Sequence, residues 1–329
     1  MDNLSPSDLK TILHSKRANL YFLERCRVVV NGGRVEYLAE AGNRSLYWNI
    51  PIANTTSILL GNGTSITQAA MRELAKAGVL VGFCGGNGTP LYAATEVQVD
   101  VVWMTPQSEY RPTEYLQRWV HFWFDDAQRL EAAKTFQRIR LAQIEKHWLS
   151  AYRQKEDRFV VDATHLTALL RDTQSALIRC RNSNDVLAQE AKLTKALYKM
   201  ASNSVSYGTF RRAKRGSGAD TANRFLDHGN YLAYGLAATA AWVLGLPHGL
   251  AVLHGKTRRG GLVFDIADLI KDALILPQAF VSAMAGDDEQ AFRCRCAELF
   301  MQAGAMDVMI DSIKSVTDSI DLKKAVQNP

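Results

Sequence analysis

The spacing of apolar residues divides the chain into a first part that predicts strands and a longer second part that predicts helices. In the first part, β-rich runs surround Asn31-Gly32-Gly33, which is typical of a hairpin. The segments SLYWNIP, TSILLGNG and VLVGFCGGNGTPLYAA predict further strands, with one helix over 65–78. Beyond residue 112 the helical spacing predicts helices over 113–150, 162–181, 186–206, 220–244, 262–276 and 287–318.

These patterns predict an α+β fold with two domains. A β-rich domain over 1–103 is followed by a proline-flanked linker over 104–112 and an all-helical domain over 113–329. The length of 329 residues supports this division, because it exceeds the usual size of a single hydrophobic core.

Cysteine usage and hydropathy favour a cytoplasmic protein. The five cysteines are scattered and include no CxxC pair, so the sequence suggests neither a disulfide framework nor a zinc ribbon. The amino terminus lacks the apolar core of a signal peptide. The apolar run over 231–253 is interrupted by Gly245, Pro247 and His248, so we expect a buried helix followed by a turn and no membrane segment.

Positive charge is concentrated in one stretch. The whole chain has a formal charge of +6, but residues 192–259 contain eleven Lys or Arg and two Asp, a net of +9. Such a surface attracts a polyanion, most commonly nucleic acid, although a basic face can also serve solubility alone. Two glycine-bearing segments are either ordinary exposed loops or DNA contacts, and the predicted contacts are Arg211, Arg212, Lys214, Arg215, Lys256, Arg258 and Arg259.

A carboxylate interrupts the apolar stripe of the helix over 186–206. A core-facing stripe has the spacing of Val186, Leu193, Leu197 and Met200, and the position that completes it is Glu190. A buried charge must be protonated, paired or bound to a metal. The three lysines of this helix form a separate, outward row: Lys192, Lys195 and Lys199.

A second acidic cluster opens the helix that begins near Leu262. Asp265 and Asp268 share a helix face at i and i+3, so their mutual repulsion requires compensation. His254 ends the apolar run GLAVL, which delivers its imidazole to the interior. Carboxylates and imidazole together suit Mg²⁺ or Mn²⁺. Each residue taken singly also has a purely structural explanation. The glutamate could form a salt bridge, the two aspartates could lie on a solvated helix face, and the histidine could be an ordinary core residue.

At these residues the sequence resembles the CRISPR-associated spacer-acquisition integrases. The resemblance rests on SITQAAMRELAKAGVLVGFCGGNGTPLY (65–92), on Glu190 and on the segment from NRFLDHG to DIADLIKD (223–272). It covers nearly the whole chain and is closest to the branch whose partner is fused to a large helicase-nuclease.

The resemblance implies roles for individual residues. Glu190, His254 and Asp268 fall on the metal-ligand positions, and Asp265 falls on an accompanying acidic position, so all four are candidate catalytic residues. Tyr234 matches a tyrosine near the active site and is counted with the DNA contacts. The family also has a β-rich amino-terminal domain that dimerises and a helical domain that holds the ion.

One departure from the family concerns the residues after the DxxDL core. Many relatives carry an acidic residue soon after it, where this chain has Lys271 followed by Asp272. For this reason Asp272 is not assigned to the metal.

The activity implied by the resemblance is insertion of short foreign DNA into a CRISPR array. A 3′-hydroxyl of the fragment attacks a repeat phosphodiester in a metal-assisted transesterification. The implied partners are double-stranded and branched DNA (prespacer and CRISPR repeat), a second copy of the chain, and a second adaptation protein. Two other functions remain open: a nucleic-acid-binding scaffold with structural ion pairs, and a metal-dependent hydrolase of small molecules, for which the basic segment would have no purpose.

Overall fold

The structure is a computed structural model that divides into two compact units, Met1–Arg111 and Pro112–Pro329. The residues that it describes are 19–41, 44–85, 102–104, 112–151, 153, 159–213, 220–255 and 260–327. Strands come first and helices follow, so the α+β class predicted from the sequence is confirmed.

One sheet of the first unit is built on the predicted hairpin. Its strands lie in the order β4-β3-β2-β6, and they are β2 (Arg27–Asn31), β3 (Arg34–Ala41), β4 (Arg44–Asn49) and β6 (Ser65–Ile66). The two-residue turn between β2 and β3 is Gly32-Gly33, and both residues have positive φ. Glycine adopts this conformation without steric cost, and the resulting turn matches the twist of the paired strands.

A second sheet completes the first unit. Its strands lie in the order β1-β5-β7-β8, and they are β1 (Asn19–Leu23), β5 (Thr55–Leu60), β7 (Leu80–Phe83) and β8 (Val102–Met104). Helix α1 (Gln68–Lys76) lies between β6 and β7 in the chain, and the Thr67 side chain caps its first turn. Val28, Ile58 and Leu74 are fully buried in one core that joins both sheets to this helix.

All regular secondary structure of the second unit, within its described residues, is helical. Its helices are α2 (Glu114–Trp123), α3 (Asp126–Trp148), α4 (Ala163–Arg179), α5 (Ser183–Ser204), α6 (Thr221–Val243), α7 (Gly261–Ala285), α8 (Glu289–Gln302) and α9 (Ala305–Gln327). Within the part of the chain that the structure describes, no helix is long and apolar enough to cross a membrane. The run that begins at Tyr231 continues α6 and ends in a turn after Leu244, as its glycine and proline predicted.

Two of the predicted helices are wrong in their extent, because each is divided in two. The predicted helix over 113–150 breaks at Phe124, since the Asp125 side chain accepts hydrogen bonds from the amides of Ala127 and Gln128 and starts a new helix there. The predicted helix over 287–318 breaks at Gly304, which has positive φ.

Helix α7 is longer than the sequence predicted. It continues through Pro277 to Ala285, although proline normally ends or kinks a helix. Two side chains donate hydrogen bonds to main-chain carbonyl oxygens shortly before the proline. Trp148 Nε1 donates to the carbonyl of Asp272 (2.9 Å), and an Nη of Arg153 donates to the carbonyl of Leu274 (3.0 Å). Both bonds supply side-chain donors to main-chain carbonyls close to Pro277, and the helix is continuous there.

Helices α6 and α7 pack closely because α6 is rich in small residues. A Cβ placed on Gly229 would lie 2.4 Å from the Ile275 methyl, far inside van der Waals contact. The Tyr234 ring meets the Phe264 ring edge-on at 4.7 Å between centroids. This contact surface fixes the position of α7, which carries three of the acidic residues singled out in the sequence.

Candidate metal centre

Glu190 lies on α5 where the stripe of core residues predicts it. Val186, Leu193 and Leu197 of the same face are buried, while the lysine row of α5 is exposed, as expected. The Glu190 side chain retains only 13% of its exposed surface. A local helical period is enough to bring this carboxylate inward.

His254 lies in the loop between α6 and α7, and the Asp265 carboxylate of α7 accepts hydrogen bonds from that loop. One Asp265 oxygen accepts the amides of Val252 (2.7 Å) and Leu253 (3.1 Å). The other accepts the His254 amide (3.1 Å) and lies 2.8 Å from His254 Nδ1. Because a carboxylate can only accept, Nδ1 carries the proton in this contact, and Nε2 is the ring nitrogen that faces Glu190.

The same loop is fixed from two further sides. The indole nitrogens of Trp119 and Trp123 donate to the carbonyl oxygens of Leu250 (2.9 Å) and Ala251 (2.7 Å). On the other side, a Cβ on Gly261 would lie 2.8 Å from the Ala251 Cβ, so only glycine allows the first turn of α7 to approach the loop this closely.

Glu190, His254 and Asp268 meet at one point, although they are far apart in the sequence. Each offers a ligand atom, and these atoms all lie within 4.8 Å of one another. His254 Nε2 is 3.7 Å from Glu190 Oε2. Among the described residues, neither Glu190 Oε2 nor Asp268 Oδ2 has a hydrogen-bond partner. Two buried oxygens without donors, together with the Nε2 atom of an imidazole, fit a hard divalent cation such as Mg²⁺ or Mn²⁺.

The acidic residues of α7 are all buried. Asp265, Asp268 and Asp272 are 4%, 3% and 3% exposed, so the alternative of a solvated helix face is wrong. They do not share one task. Asp265 holds the loop, Asp268 faces Glu190, and Asp272 is paired with Arg140.

Two buried cations lie beside the carboxylates, and the sequence did not reveal their positions. Arg140 of α3 is 3.4 Å from Glu190 through Nη1, so the predicted alternative of a salt bridge to an arginine is also present. Lys271 forms an ion pair with Asp268. A signal for Arg140 existed in the sequence, because it interrupts the buried stripe of α3 at Ala133, Ile144 and Trp148.

Burial and neighbouring charges shift the pKa values of all three candidate ligands. Burial and the charge of Asp268 raise the pKa of Glu190, against the opposing effect of Arg140. Burial alone would raise the pKa of Asp268, but the neighbouring Lys271 and Arg140 lower it below its ordinary value. Burial opposes the charge on His254, yet its hydrogen bond to Asp265 and the nearby carboxylates raise its pKa.

The predicted DNA contacts fall into four groups. Lys214, Arg215, Lys256, Arg258 and Arg259 lie outside the described residues. Arg211 is exposed. Arg212 is half-buried: it pairs with Asp227 and donates to Asn223 Oδ1 (2.8 Å), so it ties its loop to α6. Tyr234 is 7% exposed and lies within α6, against α7.

Known proteins resemble this chain over almost its entire length. A protein of Pectobacterium atrosepticum named CRISPR-associated endonuclease Cas1 is 68% identical over 97% of this chain and 98% of its own length. A Pseudomonas aeruginosa protein of the same name is 67% identical over 96% of this chain and 98% of its own length.

Solved structures share the fold at lower sequence identity. The TtCas1–DNA complex has a TM-score of 0.65 and 21% identity over 91% of both chains. A casposase bound to integration product has a TM-score of 0.70 and 14% identity, also over 91% of both chains. A Cas6-RT-Cas1–Cas2 complex has a TM-score of 0.66 and 10% identity, over 93% of this chain and 35% of that one.

A comparison with models of protein families assigns the chain to its family. The model described as CRISPR associated protein Cas1 matches residues 24–285, which include every residue of the candidate metal centre. Together with the two relatives of about two-thirds identity, this match shows that the chain belongs to the CRISPR-associated Cas1 family.

Proposed function

We propose that the protein is a metal-dependent DNA integrase that inserts short foreign DNA into a CRISPR array. The observation that carries this proposal is the convergence of Glu190, His254 and Asp268, with two buried carboxylate oxygens that have no hydrogen-bond donor among the residues the structure describes. The names of the relatives, CRISPR-associated endonuclease Cas1, support a reaction at a phosphodiester.

In this proposal the three residues hold one Mg²⁺ or Mn²⁺ ion. When bound, such an ion neutralises phosphodiester charge and activates the attacking oxygen. Asp265 keeps the Nδ1 proton of His254 in place and thereby directs Nε2 toward Glu190. Asp268 supplies the remaining carboxylate from a rigid helix, so the donors are arranged before DNA arrives.

The DNA would be held by the two basic segments that the sequence singles out. Arg211 and the cations within 214–215 and 256–259 are the proposed phosphate contacts, because the latter segment directly joins the His254 loop to α7. Arg212 contributes indirectly, since its ion pair with Asp227 fixes the residue itself against α6, two positions before Lys214 in the sequence. Phosphate contacts of this kind weaken steeply with salt, so we expect DNA affinity to fall strongly between 50 and 200 mM salt, as is typical of such proteins.

We further propose that the β-rich unit dimerises the protein. Strand β4 lies at the end of its sheet and exposes Leu46, Tyr47 and Trp48. An exposed apolar edge strand is a surface for pairing with another chain. Leu46→Lys and Tyr47→Lys, one on each face of β4, are expected to yield monomers in sedimentation experiments, and an unchanged mass would contradict this assignment.

The partner protein is the remaining part of the proposal. A solved assembly whose title joins Cas1 to Cas2 shares the fold of this chain, which supports a second adaptation protein as partner. Its fusion to a helicase-nuclease rests on the resemblance of the sequence. Copurification of the full chain with a tagged candidate partner, followed by mass determination, tests both statements.

The central experiment measures strand transfer on a branched DNA that carries one CRISPR repeat. Glu190→Gln, His254→Gln and Asp268→Asn are expected to abolish joining while the variants remain folded and bind DNA. Asp172→Asn is the matched control, because Asp172 is an exposed carboxylate on α4 of the same unit.

Chelation separates the enzyme from the scaffold alternative. EDTA is expected to stop joining by the wild-type protein, and added Mn²⁺ to restore it. Full strand transfer by all three ligand variants, or in EDTA, would refute the metal centre. A protein that binds branched DNA but never joins it under any metal condition would instead support a scaffold.

A further inference from the structure

The guanidinium of Arg140 forms hydrogen bonds with residues of three helices next to the candidate metal centre. Its donors reach Gln137 Oε1 on its own helix α3 (3.0 Å), Thr194 Oγ1 on α5 (2.8 Å) and Asp272 Oδ2 on α7 (3.0 Å from Nε). The side chain is only 1% exposed. A fully buried arginine with this set of acceptors fixes the relative positions of the helices that carry Glu190 and Asp268.

Arg140 also divides the two oxygens of Glu190. Its Nη1 lies 3.4 Å from Oε1, whereas Oε2 has no hydrogen-bond partner among the described residues and points to His254 Nε2 at 3.7 Å. A carboxylate that turned freely would present either oxygen to the centre. Because the cation attracts one of them, the other is left oriented toward the imidazole.

Asp272 determines which way the guanidinium faces. It contacts Arg140 through both Nε and Nη2, so the fork is oriented with Nη1 toward Glu190. Asp272 is 3% exposed, its Oδ2 contacts the arginine, and it is not a member of the cluster of candidate ligands. An ordinary structural salt bridge would pair the arginine with one carboxylate. Arg140 contacts two carboxylates from different helices, those of Asp272 and Glu190.

We infer that Arg140 is a positioning residue: oriented by Asp272, it holds Glu190 so that Oε2 is aimed at the metal position. This inference rests on the proposed function for the identity of the bound ion. It concerns the geometry of the ligand and not its charge, so replacement by another cation should not preserve it.

The test is Mn²⁺ binding to the full chain, measured by isothermal titration calorimetry, with Mn²⁺ electron paramagnetic resonance as a second readout. Arg140→Lys keeps the positive charge but loses the planar fork. We expect its dissociation constant for Mn²⁺ to rise by roughly 10-fold to 100-fold, the range usual for loss of a residue that orients a metal ligand.

The matched control is Arg153→Lys, another buried arginine of the same unit. Arg153 contacts α7 farther along, at Gln278 Oε1 (2.9 Å) and the Leu274 carbonyl (3.0 Å). We expect this variant to lower the melting temperature while leaving the Mn²⁺ dissociation constant within about twofold of the wild type, because a general loss of packing does not reorient Glu190.

A double-mutant cycle tests the role given to Asp272. Asp272→Asn, the milder change, should also weaken Mn²⁺ binding. The Arg140→Lys/Asp272→Asn double variant should bind Mn²⁺ at least as tightly as the single variant with the lower affinity. If the two losses multiply instead, Asp272 acts independently of Arg140 and the inference is wrong. Asp272→Asn also keeps the test possible if Arg140→Lys does not fold.

The remaining outcomes separate the two proposals. Equal weakening by Arg140→Lys and Arg153→Lys would reduce Arg140 to a packing role and overturn the inference. Unchanged Mn²⁺ binding in Arg140→Lys would also overturn the inference. The proposed metal centre would be retained in that case if Glu190→Gln abolishes Mn²⁺ binding. Absence of Mn²⁺ binding in the wild type would overturn both the centre and the inference.

Discussion

Replacing Asp265 by asparagine tests whether one carboxylate holds the loop that presents His254. The substitution keeps the size of the side chain but exchanges one acceptor oxygen for an amide group that donates. Of the four donors that meet Asp265, only two can then be satisfied, and the other two face a second donor. The perturbation is therefore confined to hydrogen bonding.

The magnitude follows from those contacts. A hydrogen bond to a charged group contributes roughly 1.5–3 kcal/mol, so the loss of two should lower the free energy of unfolding of the helical unit by about 3–6 kcal/mol. This is a large part of the usual 5–15 kcal/mol of a domain. Since His254 also loses its fixed tautomer, we expect Mn²⁺ binding to weaken by roughly 10-fold or more.

The assay is urea unfolding followed by far-ultraviolet circular dichroism, together with Mn²⁺ calorimetry at low denaturant. Asp172→Asn, the exposed change on α4, should shift the unfolding free energy by less than about 0.5 kcal/mol. If Asp265→Asn unfolds at the wild-type urea concentration and binds Mn²⁺ as tightly, the loop is not held by this carboxylate and the reasoning fails.

Three further predictions concern packing and pH. Gly261→Ala would place its Cβ 2.8 Å from that of Ala251, so calorimetry should show a lower melting temperature and weaker Mn²⁺ binding; equal values would contradict the close approach. Gly229→Ala would meet the Ile275 methyl at 2.4 Å and should cost about 1–3 kcal/mol in urea unfolding. Burial lowers the pKa of His228 from 6.5 to about 4, so the unfolded chain takes up this proton first as the pH falls. Stability should therefore decrease from about pH 6.5 to 4, by up to roughly 3 kcal/mol from this group, and His228→Gln should remove that part of the decrease in thermal unfolding; an identical pH profile would contradict the assignment.

Features set by local spacing could be predicted from the sequence. The hairpin at Gly32-Gly33 follows from the conformational freedom of glycine, and the inward Glu190 with its outward lysine row follows from the period of one helix. The boundaries of long helices could not be predicted as well. Asp125 caps a new helix directly after Phe124, and α7 passes through Pro277, where the residue type predicts an end.

Periodicity grouped Asp265, Asp268 and Asp272 on one helix but could not assign their separate tasks. Each task depends on what another element brings to that carboxylate: the amides of the His254 loop, the carboxylate of Glu190, or the guanidinium of Arg140. These partners are separated by up to 132 positions along the chain. No local pattern encodes such a contact.

The sequence by itself therefore determined the α+β class, the family and the three residue types of the candidate centre, because residue identity and helical period are properties of short segments. Only the tertiary structure decided that three ligand atoms lie within 4.8 Å of one another and that Arg140 lies behind Glu190. The physical reason is that these distances result from the packing of α3, α5 and α7, which depends on side chains from all three helices at once.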